Sequence, residues 1–173
     1  PWSQESLTQR GHAIEVRVYA EDAARGGLPQ AGPLLLYREP SMPGIRVDSG
    51  AAEGDEIGAH YDPMIAKLIA TGETRDVARR RAIEALRNYP ILGIRTNVAF
   101  LIELLDHPRF ISGDIDIRFL ETEGAALRAR VADTATPPEV LEVVAAARLR
   151  HSSFGGQAEP GADPWATLRG FRG

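Results

Sequence analysis

The sequence predicts an α+β domain with a mainly antiparallel sheet followed by helices. Residues 12–21 alternate between apolar and polar side chains, and residues 64–70 form a short apolar run that ends near Gly72. Helical periodicity dominates only after that glycine. Strand signals therefore precede helix signals, which favours an α+β fold over the alternating order of a parallel α/β fold.

Composition excludes several classes of protein. The chain has 173 residues, of which 43% are apolar, and its net charge of −4 argues against a nucleic-acid partner. Cysteine is absent, so disulfides and thiolate metal sites are excluded. No apolar run approaches the roughly 20 residues of a membrane helix. The first residues, "PWSQESLTQRGHA", lack the apolar core of a signal peptide.

The first half of the chain predicts strands joined by turns. The stretch "HAIEVRVYAE" predicts a strand with one buried face. The glycine- and proline-rich residues 22–33 predict a loop. "LLLYRE" (34–39) and "IRVDSG" (45–50) predict further strands. The predicted buried face of the first strand consists of His12, Ile14, Val16, Val18 and Ala20.

The run "MIAKLIA" (64–70) predicts a strand covered on both sides, because both of its faces are mostly apolar. It contains Lys67, the only lysine in a chain with nineteen arginines. One interpretation is a buried cation beside an anionic ligand. The other is a lysine whose stem packs in the sheet while its ammonium reaches an acid or the surface.

The second half predicts helices. Thr74 is a suitable N-cap and Asp76 favours the first turn of a helix that Pro90 stops. Its arginines at 79, 80, 81 and 87 are expected to lie largely outside the core. Further helices are predicted at 96–107, at about 118–129 and from Pro138 to Arg150, followed by a linker-like tail.

Several spaced motifs resemble the C-terminal domain of biotin carboxylases. They are "GHAIEVRVYAED", "LPQAG", "GIRVDSG", "HYDPMIAKLIATGETR", "GIRTNVAFL" and "HPRF", in the family's order over residues 8–121. The tail "DPWATLRGFRG" is similar to the segment that follows this domain in acyl-CoA carboxylase α-subunits. The resemblance implies a domain over 1–130, and a helix plus linker over 131–173 leading to a bridging and biotin-carrier region.

The resemblance implies the C-terminal part of a ligase that carboxylates carrier-bound biotin with ATP and bicarbonate. Its implied cofactors are biotin, and ATP with Mg²⁺ held by an upstream ATP-grasp part. The implied partners are that part, the biotin carrier domain, a carboxyltransferase β-subunit and further copies in an oligomer, in the cytoplasm or the mitochondrial matrix. Membranes and nucleic acids are not implied partners.

The residues agree with an ATP site that lies in the upstream part. No Walker-type loop occurs in this sequence, and neither glycine pair precedes a lysine. The chain alone is therefore expected not to hydrolyse ATP. Two alternatives stay open, a non-catalytic scaffold of the same fold and the equivalent piece of pyruvate or urea carboxylase.

Arg46 in "GIRVDSG" is the principal candidate site residue, because the resemblance places it beside the ureido ring of biotin. Loss of the ureido proton leaves charge on the ring oxygen, and a guanidinium is a permanently charged, planar donor for it. From the residues alone, the favoured interpretation is an exposed arginine paired with Asp48 on the same strand face.

Other charged residues have a solvated face as the favoured interpretation. Glu15, Arg17 and Glu21 lie along one predicted strand face, with a catalytic carboxylate pair as the alternative. The resemblance places Arg75 near a dimer contact, as a candidate interface residue. The resemblance also assigns the Lys67 motif to the scaffold. The histidines lack metal-ligand spacing, and residues 60–62 are expected to form a hydrogen-bonded turn.

Overall fold

A computed structural model describes residues 2–58 and 62–132 of the chain. The helix predicted from Pro138 to Arg150 and the tail lie outside the described residues, so the domain boundary near residue 130 stays a prediction. The strands are β1 (His12–Tyr19), β2 (Glu21–Asp22), β3 (Leu28–Pro29), β4 (Gly32–Pro33), β5 (Leu36–Tyr37), β6 (Ile45–Ser49), β7 (Glu56–Ile57), β8 (Met64–Gly72) and β9 (Ile91–Leu92). The α-helices are α1 (Arg75–Arg87), α2 (Val98–Leu105), α3 (Pro108–Ser112) and α4 (Phe119–Ala132).

The main sheet has three strands in the order β1-β8-β6, and both of its ladders are antiparallel. Three smaller antiparallel pairs, β2 with β3, β4 with β7 and β5 with β9, surround it. The α+β prediction with a mainly antiparallel sheet is therefore confirmed. The central strand is β8, which is also the most apolar of the three.

Helix α1 packs on one face of this sheet. The alternation predicted for β1 is confirmed, because Ile14, Val16 and Val18 are buried and the residues between them are exposed. Small residues on both sides let the α1 backbone approach β8 closely, as dense packing requires. The buried residues of this layer include Val18, Ala66, Leu68, Ala70, Ala78, Ala82, Ala85 and Leu86.

Helix α1 begins where the sequence predicts. The hydroxyl of Thr74 accepts a hydrogen bond of 3.3 Å from the Val77 amide, which satisfies one of the free N–H groups of the first turn. The expectation for Arg79 is wrong, because this residue is only 8% exposed. Its guanidinium reaches across to the end of α2, where it donates to the Asp106 carboxylate (3.0 Å) and the Leu105 carbonyl (3.4 Å).

The connection from β9 into α2 differs from a simple capped helix start. Asn97 occupies the N-cap position, but its side chain makes no cap hydrogen bond. Its amide instead bridges to β1, where it accepts from the Tyr19 N–H (2.9 Å) and donates to the Arg17 carbonyl (3.1 Å). Asn97 thus occupies the free edge of β1 in place of a neighbouring strand.

Three further boundaries depart from the sequence prediction. The strand predicted at 34–39 contracts to β5, and the Leu34 N–H instead donates to the Asp55 carbonyl at 2.8 Å, next to the β4–β7 pair. Helix α3 was not expected, although proline at its first position suits a helix start. Helix α4 extends three residues beyond the predicted end.

Candidate functional site

The face of the sheet opposite α1 carries five charged side chains in two rows. The register places Arg17, Lys67 and Asp48 side by side across β1, β8 and β6. In the adjacent row, Ile69 separates Glu15 on β1 from Arg46 on β6. Directly opposite residues of an antiparallel ladder share a face. The charges therefore lie together on what we call the open face, defined by these two rows.

Arg46 projects from this open face and is paired with Asp48. Its Nε donates to Oδ1 at 2.8 Å and its Nη2 donates to Oδ2 at 2.7 Å, a bidentate arrangement. The arginine side chain nevertheless remains 73% exposed. The pair expected from the i, i+2 spacing is confirmed. Two guanidinium N–H groups point at Asp48, and the Nη1 edge has no partner among the described residues.

The two charges act on each other's protonation. The hydrogen bond from Arg46, helped by its charge and that of Lys67, lowers the pKa of Asp48. The hydrogen bond and charge of Asp48 raise the pKa of Arg46. Both groups are therefore ionised throughout the neutral range. The partner of Lys67 was unknown from the sequence. Lys67 lies directly opposite Asp48 on the neighbouring strand, and its charge stabilises the ionised Asp48 carboxylate.

The entry into β6 is fixed by a turn at Gly44. The Gly44 carbonyl accepts from the Thr71 N–H (2.7 Å) and from its hydroxyl (3.1 Å), and Arg81 donates to the Thr71 carbonyl (2.7 Å). Gly44 has φ +78°, and a Cβ there would come within 2.8 Å of the Thr71 oxygen. Only glycine fits this position, which sets the start of the strand that carries Arg46.

The far end of β6 is fixed by a chain of hydroxyl groups. Ser49 lies 2.6 Å from the Tyr37 hydroxyl and donates to the Ala51 carbonyl at 2.7 Å. The Tyr37 hydroxyl also bonds to that of Tyr89, which follows α1. Burial and this hydrogen bond raise the pKa of Tyr89 above its usual range. No sequence signal pointed to this chain, because its tyrosines are 52 residues apart.

Glu15, Arg17 and Glu21 do not lie along one strand face as the sequence predicts, because Glu15 and Arg17 belong to β1 and Glu21 to β2. Arg17 bonds to Glu15 at 3.3 Å, but the ladder shifts register between Val18 and Tyr19, which separates Glu21 from that pair. All three charged residues still line one groove of about 370 Å³ between β1 and the helices. Burial raises the pKa of Glu21, while the Asn97 amide and the charge of Arg128 act in the opposite direction. Apolar members of the groove include Phe100, Leu104, Phe110 and Leu120.

Arg75 makes contacts within the chain. Its Nη1 donates to the Ile111 carbonyl at 3.1 Å, and its guanidinium lies 4.6 Å from the centre of the Phe110 ring. These contacts join the start of α1 to α3. A role for Arg75 in an interface stays a prediction.

Two further expectations concern metals and membranes. Residues 2–58 and 62–132 contain no group of three or more histidine, aspartate or glutamate side chains placed to hold a metal ion. No helix in that part of the chain has the length and apolar character needed to cross a membrane. The turn expected at 60–62 falls largely outside the described residues.

Known proteins of similar sequence and structure point to one family. The family model of the biotin carboxylase C-terminal domain matches residues 15–122. The chain is 48% identical over 122 residues to the mitochondrial methylcrotonoyl-CoA carboxylase subunit alpha of Oryza sativa subsp. japonica. It is 47% identical over 119 residues to the mitochondrial propionyl-CoA carboxylase alpha chain of Homo sapiens.

These matches cover 70% and 68% of this chain but only 17% and 16% of the relatives. Solved structures give the same result. The biotin carboxylase domain dimer of Hydrogenobacter thermophilus 2-oxoglutarate carboxylase, with MgADP, ADP and bicarbonate, aligns with a TM-score of 0.70 at 35% identity. That alignment covers 78% of this chain and 29% of the other. Pyruvate carboxylase of Rhizobium etli aligns with a TM-score of 0.69 at 35% identity, over 73% and 12% of the two chains.

Proposed function

The chain belongs to the biotin carboxylase C-terminal domain family, and we propose that it completes the biotin pocket of an acyl-CoA carboxylase α-subunit. The reaction is the ATP- and bicarbonate-dependent carboxylation of carrier-bound biotin. The names of the two curated relatives support the acyl-CoA class. The 2-oxoglutarate and pyruvate carboxylases support the shared biotin carboxylase step rather than the final acceptor.

One observation carries the proposal: Arg46 is held by Asp48, yet its Nη1 edge has no partner among the described residues. A guanidinium so placed suits a planar oxygen acceptor such as the ureido oxygen of biotin. Biotin, when bound, supplies the ring nitrogen that accepts the carboxyl group. Arg46 would donate hydrogen bonds to the neighbouring oxygen, and these strengthen as negative charge develops there.

The proposal assigns the other substrates and the partner domains to parts outside the described residues. We assign ATP, Mg²⁺ and bicarbonate to an ATP-grasp part. The biotin carrier domain and a carboxyltransferase β-subunit are the proposed partners. The mitochondrial relatives support a matrix location in a eukaryotic source.

The test is the Arg46→Ala substitution, made in the complete gene product of the source organism. We expect biotin-dependent ATP hydrolysis in bicarbonate to fall by about 10²–10³-fold, the loss typical when one oxyanion donor is removed. Thermal stability should not change, because the side chain is exposed. Arg46→Lys should restore only part of the rate, since lysine keeps the charge but not the fork.

Arg38→Ala is the matched control. Arg38 is also exposed and also pairs with a carboxylate, that of Glu53 at 2.8 Å, but it lies off the open face. We expect its variant to retain full activity. Unchanged turnover in Arg46→Ala would contradict the proposal. Streptavidin binding to the same polypeptide reports whether it also carries the biotin domain.

A further inference from the structure

Building on the proposed function of Arg46, we propose that Asp48 is a positioning residue that holds the Arg46 guanidinium in the orientation needed at the biotin pocket. Asp48 does not contact the biotin ring in this proposal. It acts only through the arginine, so its effect should disappear when the arginine is removed.

The geometry of the pair restricts the arginine to one orientation. A solvated arginine samples many rotamers, and each productive encounter must first select one of them. The two hydrogen bonds between Arg46 and Asp48, at 2.8 and 2.7 Å, fix both the position and the plane of the guanidinium. The paired edge is turned toward Asp48, so the opposite edge is presented outward. Such preorganisation contributes to catalysis when the donor must meet charge that forms in the transition state.

Asp48 is the better anchored partner of the pair. Its side chain is 36% exposed, against 73% for Arg46. Lys67 lies directly opposite on the central strand, and its charge favours the ionised carboxylate. The strand that carries both residues is fixed at its two ends by Gly44 and Ser49. The carboxylate therefore orients the arginine, rather than the reverse.

The same sheet holds a second arginine–carboxylate pair, on β1. Arg17 and Glu15 have the same i, i+2 spacing on the other edge strand, β1. They make one contact of 3.3 Å instead of two short ones. Two features distinguish the β6 pair: its acid is the shorter aspartate, and Lys67 lies opposite that acid, whereas on β1 Lys67 lies opposite the arginine. Equal spacing on a strand does not by itself produce a bidentate pair, so the geometry at Arg46 is specific to that position.

The experiment is a double-mutant cycle in the complete gene product of the source organism. Free biotin is the substrate whose concentration is varied. Asp48→Ala and Asp48→Asn should each lower kcat/KM for biotin by about 10–100-fold, the range expected when a reacting group is misplaced by about 1 Å. In the Arg46→Ala background, Asp48→Ala should change kcat/KM by less than about twofold. This non-additivity is the signature of a residue that acts through another.

Glu53→Ala is the control variant, because it removes the carboxylate of the Arg38 pair, which lies off the open face. Its activity should remain unchanged. Thermal unfolding of every variant checks folding, and Asp48→Asn keeps the size and one acceptor of the original side chain.

The outcomes separate the two proposals. No loss in Arg46→Ala overturns the proposed function, and this inference with it. A large loss in Arg46→Ala with normal kcat/KM in both Asp48 variants overturns the positioning role alone. Additive losses in the double variant also overturn it, because Asp48 would then act independently of Arg46.

Discussion

On the side of the sheet beneath α1, the central strand β8 contributes Ala66, Leu68 and Ala70 to the core. On the opposite side the same strand contributes Lys67 and Ile69 to the rows of the open face. The period of two along a strand makes this division possible, because neighbouring residues point to opposite faces. A change on one face should therefore affect stability, and a change on the other should affect chemistry.

The largest expected effect tests the covered face. Leu68 is fully buried, and Leu68→Ala should destabilise the chain by about 2–5 kcal/mol, through lost burial and the cavity that remains. Ile69→Ala is the matched control on the next residue, where the side chain is only half-buried. We expect it to cost clearly less. The free energy of unfolding in urea is the measurement, and equal losses would show that the two faces are packed alike.

The next largest effect is expected at Arg79, a charged residue that belongs to the buried layer between α1 and α2. Arg79 and Arg80 are adjacent on α1, but Arg79 is buried and Arg80 is exposed. Arg79 donates to Asp76 and Asp106 and to the Leu105 carbonyl, which joins α1 to α2. Arg79→Ala should therefore cost about 1–3 kcal/mol.

Arg80 also pairs with Asp76, at 3.0 Å, but in solvent. Arg80→Ala should change the free energy of unfolding by less than about 0.5 kcal/mol. Urea unfolding of the two variants side by side makes the comparison. If Arg80→Ala proved as costly as Arg79→Ala, burial would not be the reason why Arg79 matters.

The parts of this fold that the sequence predicted are those governed by neighbours in the chain. The alternation of β1, the apolar run of β8 and the Thr74 cap all depend on residues within a few positions of one another. The pairing of Arg46 with Asp48 was predicted for the same reason, since residues two apart share a strand face.

What the sequence missed depends on contacts between distant segments. The burial of Arg79 arises from a carboxylate 27 residues away, and the Asn97 amide bonds to backbone about 80 residues earlier. The position of Lys67 opposite Asp48 follows from the register of β6 against β8, which no local pattern specifies. The biotin role of Arg46 came from the family resemblance and not from its spacing.

The smallest expected effect concerns Glu21, which is half-buried in the groove beside β1. Burial raises its pKa in the folded chain. A raised pKa means that folding favours the neutral form, so this contribution to stability is present below the unfolded pKa and is lost as pH rises through the folded pKa. Glu21→Gln keeps the shape and removes the charge.

The variant should therefore have a higher Tm than the parent chain at pH 7.5, by about 1–2 °C, and the gain should shrink as pH falls toward 4.5. Glu15→Gln, on the preceding strand β1, should show no such gain because its charge is solvated and paired with Arg17. Calorimetry across this pH range makes the measurement. A gain that is constant with pH would mean that the groove penalises the size or polarity of Glu21 and not its charge.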